Sequence, residues 1–171
     1  MLVGYPFMTV NPRTFRKTLG CFPTGVTVVT TLDQAGAPVG VTVSSFTSLS
    51  LEPPLVLFCL DSRNPNLGAF QAAGHFAVNV LRQEQRELSI RFASRLEDKW
   101  KGVTWEAGAL GSPLLPGCLA TLECRLSAIH EGGDHQIIIG QVEGLEHAQG
   151  GQPLLYFRGA YTDFGCTAPL A

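Results

Sequence analysis

At 171 residues, with 45% hydrophobic and only 15% charged side chains, the chain is long enough to bury a sizeable core in one domain. A net charge of −2 lacks the basic footprint of a nucleic-acid binder and the polybasic patch of a membrane-surface protein, and no run reaches the roughly 18 apolar residues of a transmembrane helix. Low charge beside abundant apolar residues points to a homodimer, in which a second copy covers part of the surface.

The N-terminal "MLVGYPFMTVNPRTFRK" lacks the charged start and long apolar centre of a signal peptide. Within it, "NPRTFRKTLG" predicts a short helix with Asn11 as cap, Pro12 at the first position and Gly20 as stop. "GVTVVTTLDQAGAPVGVTVSSF" predicts two strands joined at the turn-forming "DQAGAP". "PPLVLFCL" is a continuous apolar run and reads as a strand buried on both faces. "NPNLGAFQAAG" predicts a second short helix, and "HFAVNVL" a strand. "RQEQRELSIRFAS" is helical, with Leu81, Leu88 and Phe92 along one face. "CLATLECRLSAI" alternates, with Ala120, Leu122, Cys124, Leu126 and Ala128 inward. "HQIIIGQVEGLE" and "LLYFRGAYTDF" each add a strand. Strands outnumber helices and no βαβ rhythm appears, so the pattern is that of a mainly β barrel in a single domain, residues 1–171.

The five cysteines, Cys21, Cys59, Cys118, Cys124 and Cys166, are odd in number and never spaced CxxC. They read as reduced, packed thiols of a cytoplasmic protein. His75, His130, His135 and His147 do not cluster as ligands, so no metal site is expected. No GxGxxG opens a helix and no Walker sequence occurs. Any nucleotide is therefore held by other means.

Three stretches could carry chemistry. In "GVTVSSFTSLS", Thr42, Ser44, Ser45, Thr47, Ser48 and Ser50 place small hydroxyls where a flat polar ligand could approach the backbone. A solvated edge or a hydroxyl-turn cluster is the competing reading. In "DSRNPNLGAF", a helix start beside Arg63 suits a phosphate, although a solvated loop arginine is common. In "GGDHQIIIG", Asp134 can fix His135 at the mouth of a strand.

Together "FPTGVTVVTT", "GVTVSSFTSLSLEPPLVLFCLDSRN", "HFAVNVL", "RFAS", "DKW", "GDHQIIIGQV" and "PLLYFRGAY" resemble the short-chain flavin reductases of two-component flavin-dependent monooxygenases, over about residues 12–165. The resemblance implies an FMN-binding split β-barrel with a few short helices. It implies FMN or FAD as flavin, NADH or NADPH as reductant, and a monooxygenase partner acting on small aromatic compounds.

For the flavin it implies Thr42, Val43, Ser44, Ser45 and Ser48, with Thr24, Gly25 and Val26 approaching from a neighbouring strand. Cys59, Leu60, Asp61, Ser62 and Asn66 follow the apolar strand, and Arg91 and Phe92 meet the phosphate side. For the nicotinamide nucleotide it implies Asp134 and His135, with Tyr156, Arg158 and Gly159 of "YFRG". His135 would orient the nicotinamide without being an obligate proton donor. The family's usual "DKF" is here Asp98-Lys99-Trp100, which keeps an aromatic. Phe92 also reads as core, Asn79 as a bond to either ligand or strand, and Trp100 and Trp105 as packing or dimer residues. An electron carrier with firmly held FMN and a non-catalytic binding module are the competing functions. A pyridoxamine-phosphate-oxidase-like enzyme would want more basic residues than this chain carries.

Overall fold

The structure is a computed structural model, and it describes residues 10–163. Cys166 lies outside them. Helix α1 (Pro12–Leu19) starts where the sequence predicts, because Asn11 Oδ1 accepts from the N–H groups of Arg13 and Thr14 at 2.9 and 3.2 Å. A short strand β1 (Thr24–Gly25) leads into β2 (Thr27–Leu32), which pairs antiparallel with β3 (Pro38–Val43). Asp33 Oδ1 ties the connecting turn through the N–H groups of Ala35 and Ala37, and Gly36 takes the left-handed conformation at φ 77°.

Next come β4 (Thr47–Leu51), β5 (Pro54–Asp61), helix α2 (Leu67–Ala73) ending at Gly74 in the left-handed region, and β6 (His75–Val80). One 3-10 turn precedes α3 (Arg86–Ala93). Two-residue strands β7 (Glu106–Ala107) and β8 (Pro113–Leu114) pair with each other. The long hairpin β9 (Ala120–Gly132) and β10 (His135–His147) follows.

Seven strands form one sheet in the order β3-β2-β6-β9-β10-β5-β4. It curls until β3 approaches β5, and there the backbone ladder is replaced by one side chain. Ser45 Oγ accepts from the Cys59 N–H at 2.9 Å and lies 3.1 Å from the Cys59 carbonyl, to which it donates. This is the mainly β split barrel that the resemblance implies. Its core is Val29, Val41, Phe58, Phe70, Phe76, Val78, Cys124 and Ile138 with their neighbours. Phe58 meets Phe70 and Phe76 edge-on at 5.6 and 5.3 Å. A second cluster (Val26, Val28, Leu81, Phe92, Leu115 and Leu154) fills the space under α3.

Four expectations need correction. The β5 strand is not buried on both faces: Val56, Phe58 and Leu60 enter the core, whereas Leu55, Leu57 and Cys59 are half-buried on an outer face. "LLYFRGAYTDF" is not one strand. It breaks into β11 (Leu155–Phe157) and β12 (Ala160–Thr162), which turn back at Arg158 (φ 50°) and Gly159 (φ 82°). With β1 they make a separate three-stranded sheet, β1-β11-β12. Leu81, read as part of the third helix's stripe, lies between β6 and the 3-10 turn, fully buried. The inward alternation of β9 holds at Leu122, Cys124 and Leu126. A register shift opposite Ile139 and Gly140 then leaves Ser127 unpaired and turns Ile129 to the core.

Asn79 is absorbed by the fold. It is fully buried, donates to the Val28 carbonyl and Thr30 Oγ1, and accepts from the Leu115 N–H at 2.8 Å. That settles its two sequence readings in favour of the strand.

Candidate active site

A cavity of about 1130 Å³ opens along β3. It is lined along its length by Pro38–Ser45, and one end is formed by Cys59–Asp61 with the loop Arg63–Asn66. The other end is the C-terminal turn of α3 and the segment Ser94–Trp100. His135 stands at the first end.

The hydroxyls of the 42–48 stretch divide between fold and cavity. Thr42 Oγ1 donates to the Ser89 carbonyl at 2.7 Å, fixing α3 to the strand. Ser45 closes the barrel seam as above. Ser44 is exposed and lines the cavity, whereas Ser48, on β4, does not. Val43 is buried in the core, with its backbone on the cavity floor.

At the His135 end the charges are organised. Arg63 makes a two-pronged pair with Asp61, at 2.8 Å from Nη2 to Oδ2 and 3.1 Å from Nε to Oδ1, and its own N–H also donates to Oδ1. These bonds from Arg63, first of all the side-chain one, hold the Asp61 carboxyl well below the usual carboxylate range. Across the ladder Asp61 lies opposite His135. His135 Nδ1 lies 2.7 Å from Asp134 Oδ1, and this bond to the imidazole lowers the Asp134 carboxyl in turn. The Asp134 carbonyl accepts from the Ser62 N–H at 3.0 Å. With Nδ1 donating to the carboxylate, Nε2 is left to a ligand. Asn64 Oδ1 accepts from the Asn66 N–H, turning the loop at the start of α2.

The residues named from sequence fall into two groups. Thr42, Val43, Ser44, Ser45, Cys59, Leu60, Asp61, Asn66, Phe92 and His135 all line this cavity. Ser62 and Asp134 are exposed and do not line it, but each is the chain neighbour of a lining residue, Asp61 and His135. Thr24, Gly25, Tyr156, Arg158 and Gly159 gather elsewhere, on the β1-β11-β12 sheet, where Thr24 pairs with Tyr156. Val26 is buried under α3. Arg91 does not face the cavity either: its Nη1 donates to the Lys101 carbonyl at 2.7 Å. Phe92 is fully buried and packs edge-on to Trp100 at 4.8 Å, so its contribution to the cavity is a wall and not a polar contact. Trp105 joins the same aromatic stack.

Arg95, Lys99 and the backbone of Pro38–Val41 were not singled out as site residues from the sequence. In the sequence Lys99 is marked only by its place in "DKW".

Residues 19–165 match the family described as the flavin reductase like domain. The chain belongs to this family. It is 48% identical over 153 residues to the reductase subunit HsaB of a flavin-dependent monooxygenase from Rhodococcus jostii, covering 90% of this chain and 78% of that protein. It is 46% identical over 154 residues to the FMN reductase (NADH) SmoA of Agrobacterium fabrum, covering 90% and 87%. Among solved structures, the NADH:FAD oxidoreductase SgcE6 of Streptomyces globisporus C-1027, in complex with NAD and FAD fragments, superposes with a TM-score of 0.87 at 37% identity, covering 94% of this chain and 99% of that one.

The cavity fits the cofactor of that family. Pockets that take one small molecule span roughly 300–1,000 Å³, and this one is somewhat larger. Its lining combines an open strand backbone, the Ser44 hydroxyl, the amides of Asn64 and Asn66, and the cations Arg63, Arg95 and Lys99. That donor set suits a planar, hydrogen-bonding, phosphorylated ligand. No group of three or more metal-ligating side chains occurs among the described residues.

Proposed function

We propose that this protein is an NAD(P)H:flavin oxidoreductase that reduces FMN or FAD with NADH and supplies the reduced flavin to a monooxygenase acting on small aromatic compounds. The observation that carries the reading is the wide cavity along β3 with His135 held at one end by Asp134. When bound, the flavin supplies the redox chemistry by accepting a hydride from the reduced nicotinamide.

The protein's part is orientation. The Thr42–Ser45 backbone offers donors and acceptors to a ring laid along it, and Ser44 adds a hydroxyl. His135, with its tautomer set by Asp134, positions the nicotinamide carboxamide over that ring, so the reacting atoms meet at close range. Asp134 acts through His135 and is a positioning residue. The site has few cations that are not already paired, which suits a flavin that must leave for its partner. The names of HsaB and SmoA, as a monooxygenase reductase subunit and an NADH-dependent FMN reductase, support partner and reductant.

The chain works as one domain and as a homodimer. Support for the dimer comes from the outer face of the barrel, where Leu55, Leu57 and Cys59 of β5 align with Ile137, Ile139 and Gln141 of β10. Among the described residues no helix packs extensively on β5 or β10 here, and this half-buried face borders Asp61 and His135. A second copy would cover it beside the cofactor. No described helix is long and apolar enough to cross a membrane, and we place the enzyme in the cytoplasm.

The test is NADH oxidation by the purified protein with FMN, FAD, riboflavin or no flavin added. Rapid oxidation that depends on added flavin is expected. A firmly bound yellow cofactor that NADH does not bleach would favour an electron carrier instead.

A further inference from the structure

Helix α1 is weakly supported by its own chain. None of the residues of "PRTFRKTL" is buried, and among the described residues no strand or helix packs extensively on them. A helix this short is marginal in water unless an apolar face is packed. The Asn11 cap and the bond from the Arg158 N–H to the Gly20 carbonyl at 2.8 Å hold its two ends, not its face. That face is apolar. Phe15 and Leu19, four apart, lie on one side, and the following turn carries Phe22, whose N–H donates to the Leu19 carbonyl. The three are 53%, 57% and 75% exposed.

The outer face of β5 and β10 is a complementary surface. Leu55, Leu57 and Cys59 of β5, with Ile137 and Ile139 of β10, are half-buried there. From Leu55 to Cys59 a strand spans about 13 Å, and a helix of this length measures about 12 Å. One α1 therefore fits the apolar stretch end to end. The charges match as well. Helix α1 carries Arg13, Arg16 and Lys17 with no acidic residue, whereas Asp61, Glu131 and Asp134 stand at the His135 end of the face. Arg16, about 100° round the helix from Phe15, flanks the apolar stripe.

Every copy of the chain carries both surfaces, so a two-fold pair can match them twice. We propose that in the homodimer α1 of each copy seats on the β5–β10 face of the other. Cys59 belongs to this face and also lines the cavity, as do the bordering Asp61 and His135. The second copy's α1 thus walls the cavity beside His135, and the site is incomplete in a single chain. The proposal rests on the flavin reductase and homodimer reading and names the element that joins the copies.

The experiment is sedimentation velocity of wild type, Phe15→Ala/Leu19→Ala and Leu57→Glu, each then assayed for NADH oxidation with FMN. Leu57→Glu attacks the same contact from the other side, so it serves if the α1 variant does not fold. Wild type should sediment as a dimer. Either variant should raise the dimer dissociation constant roughly hundredfold or more, and kcat/KM for NADH should fall about tenfold in the dissociated protein. A heterodimer with Phe15→Ala/Leu19→Ala in one copy and His135→Ala in the other separates a shared site from a local one. One of its sites keeps His135 and receives an intact α1 from across the interface, so about half the wild-type activity should return. Activity no better than either parent would show that α1 serves its own chain and would overturn the proposal. So would a dimer that neither variant weakens. A monomeric wild type would leave α1 to residues 1–9 or to a different protein, and would overturn it too. Absence of flavin-dependent NADH oxidation in a wild-type dimer would overturn the reductase reading instead.

Discussion

Residues assigned to cofactors from sequence settle in two regions of different character. The cavity along β3 is concave and keeps polar capacity in reserve: Ser44, Asn66, Lys99 and His135 Nε2 all face it with bonds left to make. The β1-β11-β12 sheet is built from paired backbone and aromatic contacts. There Tyr156 stacks edge-on with Tyr161 at 5.4 Å, Arg86 covers the Tyr161 ring, and the Arg158 N–H donates to the Gly20 carbonyl. Ser89 on α3 joins the two, with its hydroxyl on Tyr161 and its carbonyl on Thr42. The difference teaches that residue type does not make a site. What counts is whether the fold has already claimed the polar groups.

The strongest perturbation of that contrast is Gly40→Ala. A β-carbon there would lie 2.6 Å from Cε1 of the buried Phe92 ring and 3.2 Å from Trp100, so the cavity wall itself must shift. We expect a loss of about 3 kcal/mol in stability and a parallel loss of flavin affinity, measured by chemical denaturation and flavin titration. Unchanged affinity in a destabilised variant would place the flavin elsewhere.

His135→Ala should lower kcat/KM for NADH about tenfold, or ~1.4 kcal/mol, and leave the flavin Kd as in wild type. A change in the flavin Kd alone would give His135 to the flavin.

Tyr161→Phe removes only the bond to Ser89. It should reduce stability by about 1 kcal/mol, seen as a lower Tm, with the flavin Kd unaltered. A large change in Kd would mean that the two regions act as one site.

The smallest effect concerns pH. The Asp61 and Asp134 carboxyls are both lowered in the folded protein, so it binds fewer protons there than the unfolded chain. Their contribution is present above the ordinary carboxylate value of about 4 and is lost as pH falls below it. Tm should therefore drop more steeply below about pH 4 in wild type than in Asp61→Asn, with no difference in slope between pH 5 and 8. Equal slopes in acid would remove the Asp61–Arg63 pair from the account.

Much of the fold was legible in the sequence because local chemistry set it. Asn11 and Pro12 start α1, the "DQAGAP" turn makes the β2-β3 hairpin, and Gly74 ends α2. What escaped depended on partners remote in the chain. Nothing in "PPLVLFCL" says that one of its faces will be only half-buried. The break between β11 and β12 depends on Arg158, a non-glycine residue, adopting the left-handed conformation. Ser45 and Ser44 are neighbours of identical type that both line the cavity, and only the approach of Cys59 ties Ser45 into the seam. Arg91 and Phe92 are consecutive in "RFAS", but adjacent residues on a helix point about 100° apart. With Phe92 sunk in the core, Arg91 had to turn toward the 98–101 turn, and Lys99 faces the cavity in its place.

The most direct test of the central claim is a crystal structure of the protein soaked with FMN. The account predicts the isoalloxazine along Thr42–Ser45, with His135 beyond the ring's exposed face. A flavin lying instead against Thr24, Tyr156 and Arg158, with the β3 cavity empty, would contradict it.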